Sequence, residues 1–167
     1  MVDLAALSIV RDIVTILGVV GGFTYYVLNV RNAQKVRKAQ TLQQFVNVYT
    51  SGDNYNTFMQ LMNASWTDLE DFYSRYNMKN NSEFTTNRYR IFQALNVQGM
   101  MLREGVMDRK LMYDYAGRGF IDLWEKYSEV IYADRERLYN GDPSNLGAFE
   151  YLYNELIKER DSRGVTW

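Results

Sequence analysis

An all-α fold, with one N-terminal transmembrane helix continuing into a small cytoplasmic helical bundle, is predicted by three observations. Ile13 to Val30 is an uncharged apolar run of 18 residues. Four basic residues, Arg31, Lys35, Arg37 and Lys38, follow it directly. The rest of the chain is rich in helix formers, with turn residues at intervals and a single proline, Pro143. These features divide the chain into five parts: a short extracytoplasmic or interfacial N-terminus (1–12), a transmembrane helix (13–30), a basic juxtamembrane helix or stalk (31–50), a helical bundle packing with the stalk (51–162) and a loose tail (163–167).

At a rise of about 1.5 Å per residue the apolar run reaches about 27 Å, close to the hydrocarbon thickness of a bilayer, with Tyr25 and Tyr26 near its inner boundary. A buried core helix of the same length is the competing reading, and the flanking charges weigh against it. Residues 1–12 hold Arg11 against Asp3 and Asp12, whereas residues 31–50 hold four basic groups and no acid. Positive-inside bias therefore places the C-terminal bulk in the cytoplasm. In a cleavable signal the positive charges precede the apolar segment; here they follow it, so the segment reads as a retained anchor. Leu4 to Val10 is also apolar and extends the candidate span, leaving its start undefined by several residues.

Arg31 to Thr50 contains no glycine or proline, and its apolar residues Val36, Ala39, Leu42, Val46 and Tyr49 fall in one helical stripe, which predicts continuation of the anchor as a bundle helix. Ser51-Gly52-Asp53-Asn54 and Lys79-Asn80-Asn81-Ser82 read as turns. Thr67-Asp68-Leu69-Glu70 has the form of a capping box, with Trp66 placed to staple onto Phe72. The acids Asp68, Glu70 and Asp71 then complement the first turn of a helix dipole. From Glu83 to Glu104, Tyr89, Phe92, Leu95, Val97, Met100 and Met101 predict a buried helix that closes at Gly105, and Asp108 caps the next. That helix, Arg109 to Leu138, contains Gly117 and Gly119, which predict a bend and close packing. The glycine pattern of a phosphate-binding loop is absent. Asp142-Pro143 predicts the start of a last helix reaching about Arg160, with Leu146, Phe149, Leu152, Tyr153 and Leu156 or Ile157 inward. Lys158, Glu159, Arg160, Asp161 and Arg163 are expected to leave its end solvated.

Composition narrows the chemistry. The 167 residues contain no His and no Cys. Imidazole acid/base catalysis, thiolate nucleophiles, disulfides and thiolate or imidazole zinc sites are therefore outside its repertoire. The net charge is −1, and residues 51–167 carry 14 basic against 18 acidic side chains, a poor basis for nucleic-acid binding. No catalytic set, cofactor site or metal site is expected. Gly18 and Gly22 have the small-xxx-small spacing that lets membrane helices approach closely, although glycine is common in such helices anyway.

The elements Arg90-Ile91, Leu95-Asn96, Arg103 to Asp108 (REGVMD), Trp124-Glu125-Lys126, Arg135 and Phe149 to Glu155 (FEYLYNE), with the junction Tyr25 to Asn32, resemble the prokaryotic family called domain of unknown function 4760. The resemblance covers most of the chain. It implies a single-pass protein with a small helical cytoplasmic domain, and it implies no activity. It singles out Arg90, Arg103, Trp124, Glu125 and Arg135; the arginines read either as interhelical ion pairs, with Glu125 or Glu150 as acidic partners, or, for Arg90, Arg103 and Arg135 together, as an anion site.

The expectation is a non-enzymatic, membrane-anchored interaction or scaffold module at the inner membrane face. Its partners are the lipid bilayer and a second copy or another membrane protein. Two alternatives stand beside it: an accessory subunit of a larger membrane complex, and a cytoplasmic domain sensing an anionic small molecule through arginines.

Overall fold

Six helices in chain order, with no strand among the described residues, make up the computed structural model, which describes residues 4–50 and 52–166. Within the first helix, side chains are described at residues 7, 11–37, 39, 40 and 43. The helices are α1 (Leu4–Thr50), α2 (Gly52–Asn63), α3 (Leu69–Arg75), α4 (Ser82–Arg103), α5 (Arg109–Tyr139) and α6 (Gly147–Ser162). The chain divides into two units, Met1–Gln43 and Gln44–Trp167.

In the first unit the helix runs without interruption through the apolar segment and the basic residues after it. The stretch Arg11–Arg37 has a mean hydropathy of 1.8, is long and apolar enough to cross a membrane, and has none of its side chains buried. Thr15 and Thr24 donate their hydroxyls to the carbonyls of Arg11 and Val20, both at 2.8 Å, so neither leaves an unsatisfied polar group on the apolar surface. Arg11 pairs with the adjacent Asp12 at 2.9 Å. Of the stalk stripe, Val36 is exposed, while the side chains of Leu42, Val46 and Tyr49 lie outside the described residues, as do those of Lys38 and Trp167.

The second unit is a bundle in which α4 packs most extensively on α6, α5 packs on α6, and α2 lies against α4 and α5. Its core is aromatic at the centre. Trp66, Phe72 and Tyr127 meet one another, Tyr127 meets Phe92, and Phe92 meets Phe149, with ring centroids 4.9–6.2 Å apart. Trp124 continues the chain, edge-on to Phe149 at 5.0 Å and stacked on Tyr153 at 5.7 Å. Such pairs add directional preference to the area buried, which fixes the relative rotation of the helices.

Several boundaries differ from those expected. Gly52 to Asn54 form the first turn of α2, and Ser51 lies outside the described residues. The cap of α3 is Asp68, not Thr67: its carboxylate accepts from Asp71 N at 2.8 Å, and Asp71 in turn accepts from Thr67 N at 3.0 Å. Asp71, rather than Glu70, reaches back to the start of the helix. Trp66 does staple onto Phe72, at 4.9 Å between ring centroids. On α4 the buried face is Phe84, Ile91, Phe92, Leu95, Gly99 and Leu102, while Val97 and Met100 point outward. Asp108 caps α5 as expected, accepting from Lys110 N and Leu111 N. α5 bends at Ala116, whose φ/ψ of −153°/18° interrupts the helical values just before Gly117.

The largest correction concerns α6. It begins at Gly147 rather than at Asp142-Pro143, because Asp142 uses its carboxylate on Ser144 N and Oγ to close a turn. Leu146, at φ 55°, has no capping side chain of its own. A neighbouring helix supplies the missing acceptor: Asn96 Oδ1 of α4 receives the N–H groups of Ala148 and Phe149 at 3.0 and 3.1 Å. The end of α2 is closed in the same way, since Leu61 O accepts from the Tyr127 hydroxyl and Met62 O from Lys126 Nζ. Both ends thus have their orphan backbone groups satisfied by residues distant in sequence.

Candidate functional site

The residues singled out by the sequence occupy separate places in the bundle. Arg90, on α4, donates from Nη2 to the Thr57 hydroxyl of α2 at 2.8 Å, beside a polar cleft of about 410 Å³. Arg103 lies 13 residues further along α4, about 20 Å at helical rise, and is exposed beside Glu104 at 3.8 Å. Arg135, on α5, is buried, donating from Nη1 to Glu150 of α6 at 2.8 Å and from Nε to Asn145 O at 2.8 Å. Glu125 accepts from the Tyr153 hydroxyl at 3.4 Å. Arg90 and Arg103 thus do not share a pocket, and the guanidinium of Arg135 is turned toward the α5–α6 connection.

Two charged networks that sequence reasoning missed are more deeply placed. In the first, Arg88 of α4 meets Asp134 of α5 at 2.9 Å, the two residues being 3% and 5% exposed, while the Tyr73 hydroxyl of α3 donates to the other carboxylate oxygen at 2.7 Å. Three helices are tied at one carboxylate. The rings of Phe72, Tyr89 and Phe92 surround the guanidinium with centroids 4.7–5.7 Å from Cζ, so the cation is held by π-faces as well as by Asp134. Burial and the adjacent Asp134 push the Tyr73 phenol well above its ordinary range, which keeps it a hydrogen-bond donor. A sequence signal did exist. Arg88 and Asp134 each stand inside an apolar stripe, Phe84-Arg88-Ile91-Phe92 and Tyr127-Ile131-Asp134, and have opposite signs.

The second network joins α5 to the end of α6. Glu159 is 2% exposed, in contrast to the solvated position expected for it, because it faces α5. Its carboxylate accepts from Arg109 Nε and Arg163 Nε, both at 2.9 Å. Arg109 also reaches Glu155 at 3.3 Å, Arg163 reaches Asp114, and the Arg163 guanidinium lies over the Tyr113 ring at 4.6 Å. Hydrogen bonds from Arg163 and then Arg109 hold the Glu159 carboxyl below its usual range, and Lys158 and Arg109 do the same for Glu155. A carboxylate with a depressed folded-state pKa contributes stability above the unfolded value, here 4.5, and loses it as pH falls through the folded value. The melting temperature is therefore expected to fall as pH drops from about 5 toward 3. Glu159→Gln flattens that decline, and equal acid sensitivity in the variant would assign it to other groups.

Chemically these arrangements hold structure together. Each buried carboxylate accepts from a donor on another helix, and among the described residues no group of three acids is placed to hold a metal ion. Gly117 and Gly119 serve contact: a Cβ on Gly117 would meet the Tyr113 ring at 2.7 Å, and one on Gly119 would meet Phe58 at 3.3 Å. Arg118 between them pairs with Asp122 on its own helix at 3.6 Å. In the first unit Gly18 and Gly22 face open space, with nothing within 4 Å of a built Cβ, and Arg31, Lys35 and Arg37 are exposed.

A family model described as Domain of unknown function (DUF4760) matches residues 4–156, covering the apolar helix and nearly all of the bundle. No curated protein and no solved structure matches the chain.

Proposed function

The chain belongs to this family of unknown function, and on that premise we propose that it is a single-pass membrane protein whose helical domain works at the inner membrane face as a non-enzymatic, self-associating interaction module. The observation that carries the proposal is the exposure of residues 11–37. Ile13, Val14, Leu17, Val19, Val20 and Phe23 are each more than half exposed. Large apolar side chains contribute about 1.5–3 kcal/mol each when removed from water, so this surface calls for an apolar environment. The exposed Arg31, Lys35 and Arg37 on its C-terminal side favour a cytoplasmic bundle. The open faces of Gly18 and Gly22 leave room for close approach of a second copy.

The full-length chain is expected to resist alkaline carbonate extraction, to dissolve only in detergent, and to show a C-terminal reporter active on the cytoplasmic side. Recovery in the soluble fraction sinks the anchor reading. In detergent the protein is expected to run as a defined oligomer that Gly18→Leu/Gly22→Leu converts to monomer. A wild-type chain that is already monomeric across detergents removes self-association while leaving the anchor intact.

A further inference from the structure

The cleft of about 410 Å³ between α2 and α4 is lined entirely by polar residues. Asp53, Thr57 and Gln60 on α2 and Glu83, Asn87 and Arg90 on α4 share the spacing i, i+4, i+7 of a single helical stripe. Where two bundle helices meet, such a stripe is ordinarily apolar, so packing does not account for this composition. Thr57 accepts from Arg90, and Asn87 Nδ2 donates to Gln60 Oε1 at 3.4 Å, so the two stripes run antiparallel. Asp53 then stands at one end, one helical turn or about 6 Å from Thr57, and Glu83 at the other, two turns or about 10 Å from Arg90. The charges follow the order negative, positive, negative. None of the three is matched. Asp53 and Glu83 are exposed and have no ion-pair partner among the described residues. Arg90 meets only the neutral Thr57 hydroxyl, at 2.8 Å, whereas every other arginine of the bundle except Arg137 pairs with a carboxylate. Thr57 is 6% exposed, and its own hydroxyl proton has no acceptor among the described residues.

We infer that this cleft binds a free basic amino acid, its α-carboxylate on Arg90 and the Thr57 hydroxyl, its α-ammonium at Asp53 and its side-chain cation at Glu83. A phosphate or dicarboxylate meets the arginine but is repelled by both acids. A diamine satisfies the acids and leaves the guanidinium without an anion. A neutral amino acid leaves Glu83 unmet. A basic amino acid alone among these carries three charges in the complementary order, and its net charge of +1 cancels the −1 of the cleft. The four-carbon stem of lysine, with the reach of the glutamate side chain, spans the stretch of about 10 Å beside Gln60 and Asn87. A guanidinium and a carboxylate also match in shape, since two parallel N–H groups meet two oxygens. The site goes beyond the interaction-module reading and does not depend on the anchor.

The test is calorimetric titration of the full-length protein in detergent with three probes. They are L-lysine, 1,5-diaminopentane, which is lysine without its carboxylate, and L-norleucine, which lacks the side-chain ammonium. Lysine is expected to bind about tenfold or more tightly than either. Glu83→Gln is expected to remove the advantage over norleucine with the melting temperature unchanged, since the carboxylate is exposed. Arg90→Met is expected to remove the advantage over diaminopentane. Absence of lysine binding, equal binding of either analogue, or undiminished lysine binding by Glu83→Gln overturns the assignment. Any of these outcomes with membrane integration and oligomer intact removes the cleft site alone and leaves the interaction-module reading standing.

Discussion

Arg88→Met is expected to destabilise the bundle by about 3–5 kcal/mol, because it leaves the Asp134 carboxylate buried with no opposing charge. Asp134 is 5% exposed and keeps only the Tyr73 hydroxyl as a donor in that variant. Asp134→Leu carries the mirror penalty, a buried guanidinium among the rings of Phe72, Tyr89 and Phe92. The double variant Arg88→Met/Asp134→Leu is expected to recover most of either loss, since two buried charges are replaced together by apolar side chains of similar size. Arg88 Nε already lacks a partner, so the pair carries an unmet donor that the double variant also removes. Urea denaturation of the four proteins measures the coupling directly. If the double variant is as unstable as the sum of the singles, the two residues do not act as a pair.

Gly99→Ala is the second large effect. A Cβ built on Gly99 would stand 1.7 Å from Ala148 O and 2.4 Å from Ala148 C, both backbone atoms at the start of α6. No side chain rotation relieves that contact, so α4 and α6, the pair that packs most extensively, must separate there. Separation also pulls Asn96 Oδ1 away from Ala148 N and Phe149 N, uncapping α6. The expected cost is about 3 kcal/mol, the upper part of the usual range for overpacking, or more, read as a drop in melting temperature. Gly147→Ala is the control. A Cβ there meets nothing within 4 Å, and the melting temperature is expected to change little. Equal melting of Gly99→Ala and wild type would mean that α4 and α6 do not cross at this glycine.

Both residues show where sequence reasoning stops. Gly99 sits inside a helical pattern that predicts burial, but whether a glycine meets solvent, a flexible side chain or a carbonyl depends on the element opposite. Gly117, against the Tyr113 ring, and Gly52, against nothing, have different surroundings that their residue type does not distinguish. Arg88 and Asp134 lie 46 residues apart, and no local spacing links them. Helix starts divide in the same way. Asp108 caps α5 from the adjoining residue and was legible, whereas α6 takes its acceptor from Asn96, about fifty residues earlier. Asp142-Pro143 imitates a helix start because an Asx turn and an N-cap use the same carboxylate geometry.

The sequence by itself determined the all-helical class, the apolar helix with its basic flank, the bend near Gly117 and the family to which the chain belongs. These follow from properties carried by neighbouring residues: periodicity, uninterrupted hydropathy, charge order and local turn chemistry. Tertiary structure alone decided which arginines are buried and what they touch, that Glu159 is enclosed, and that α6 begins at Gly147. It also left one donor of the buried Arg135 without an acceptor. Each of those outcomes depends on which groups the folded chain brings within about 3 Å, and helices that pack through a glycine or a shared carboxylate set that distance only once both partners are in place.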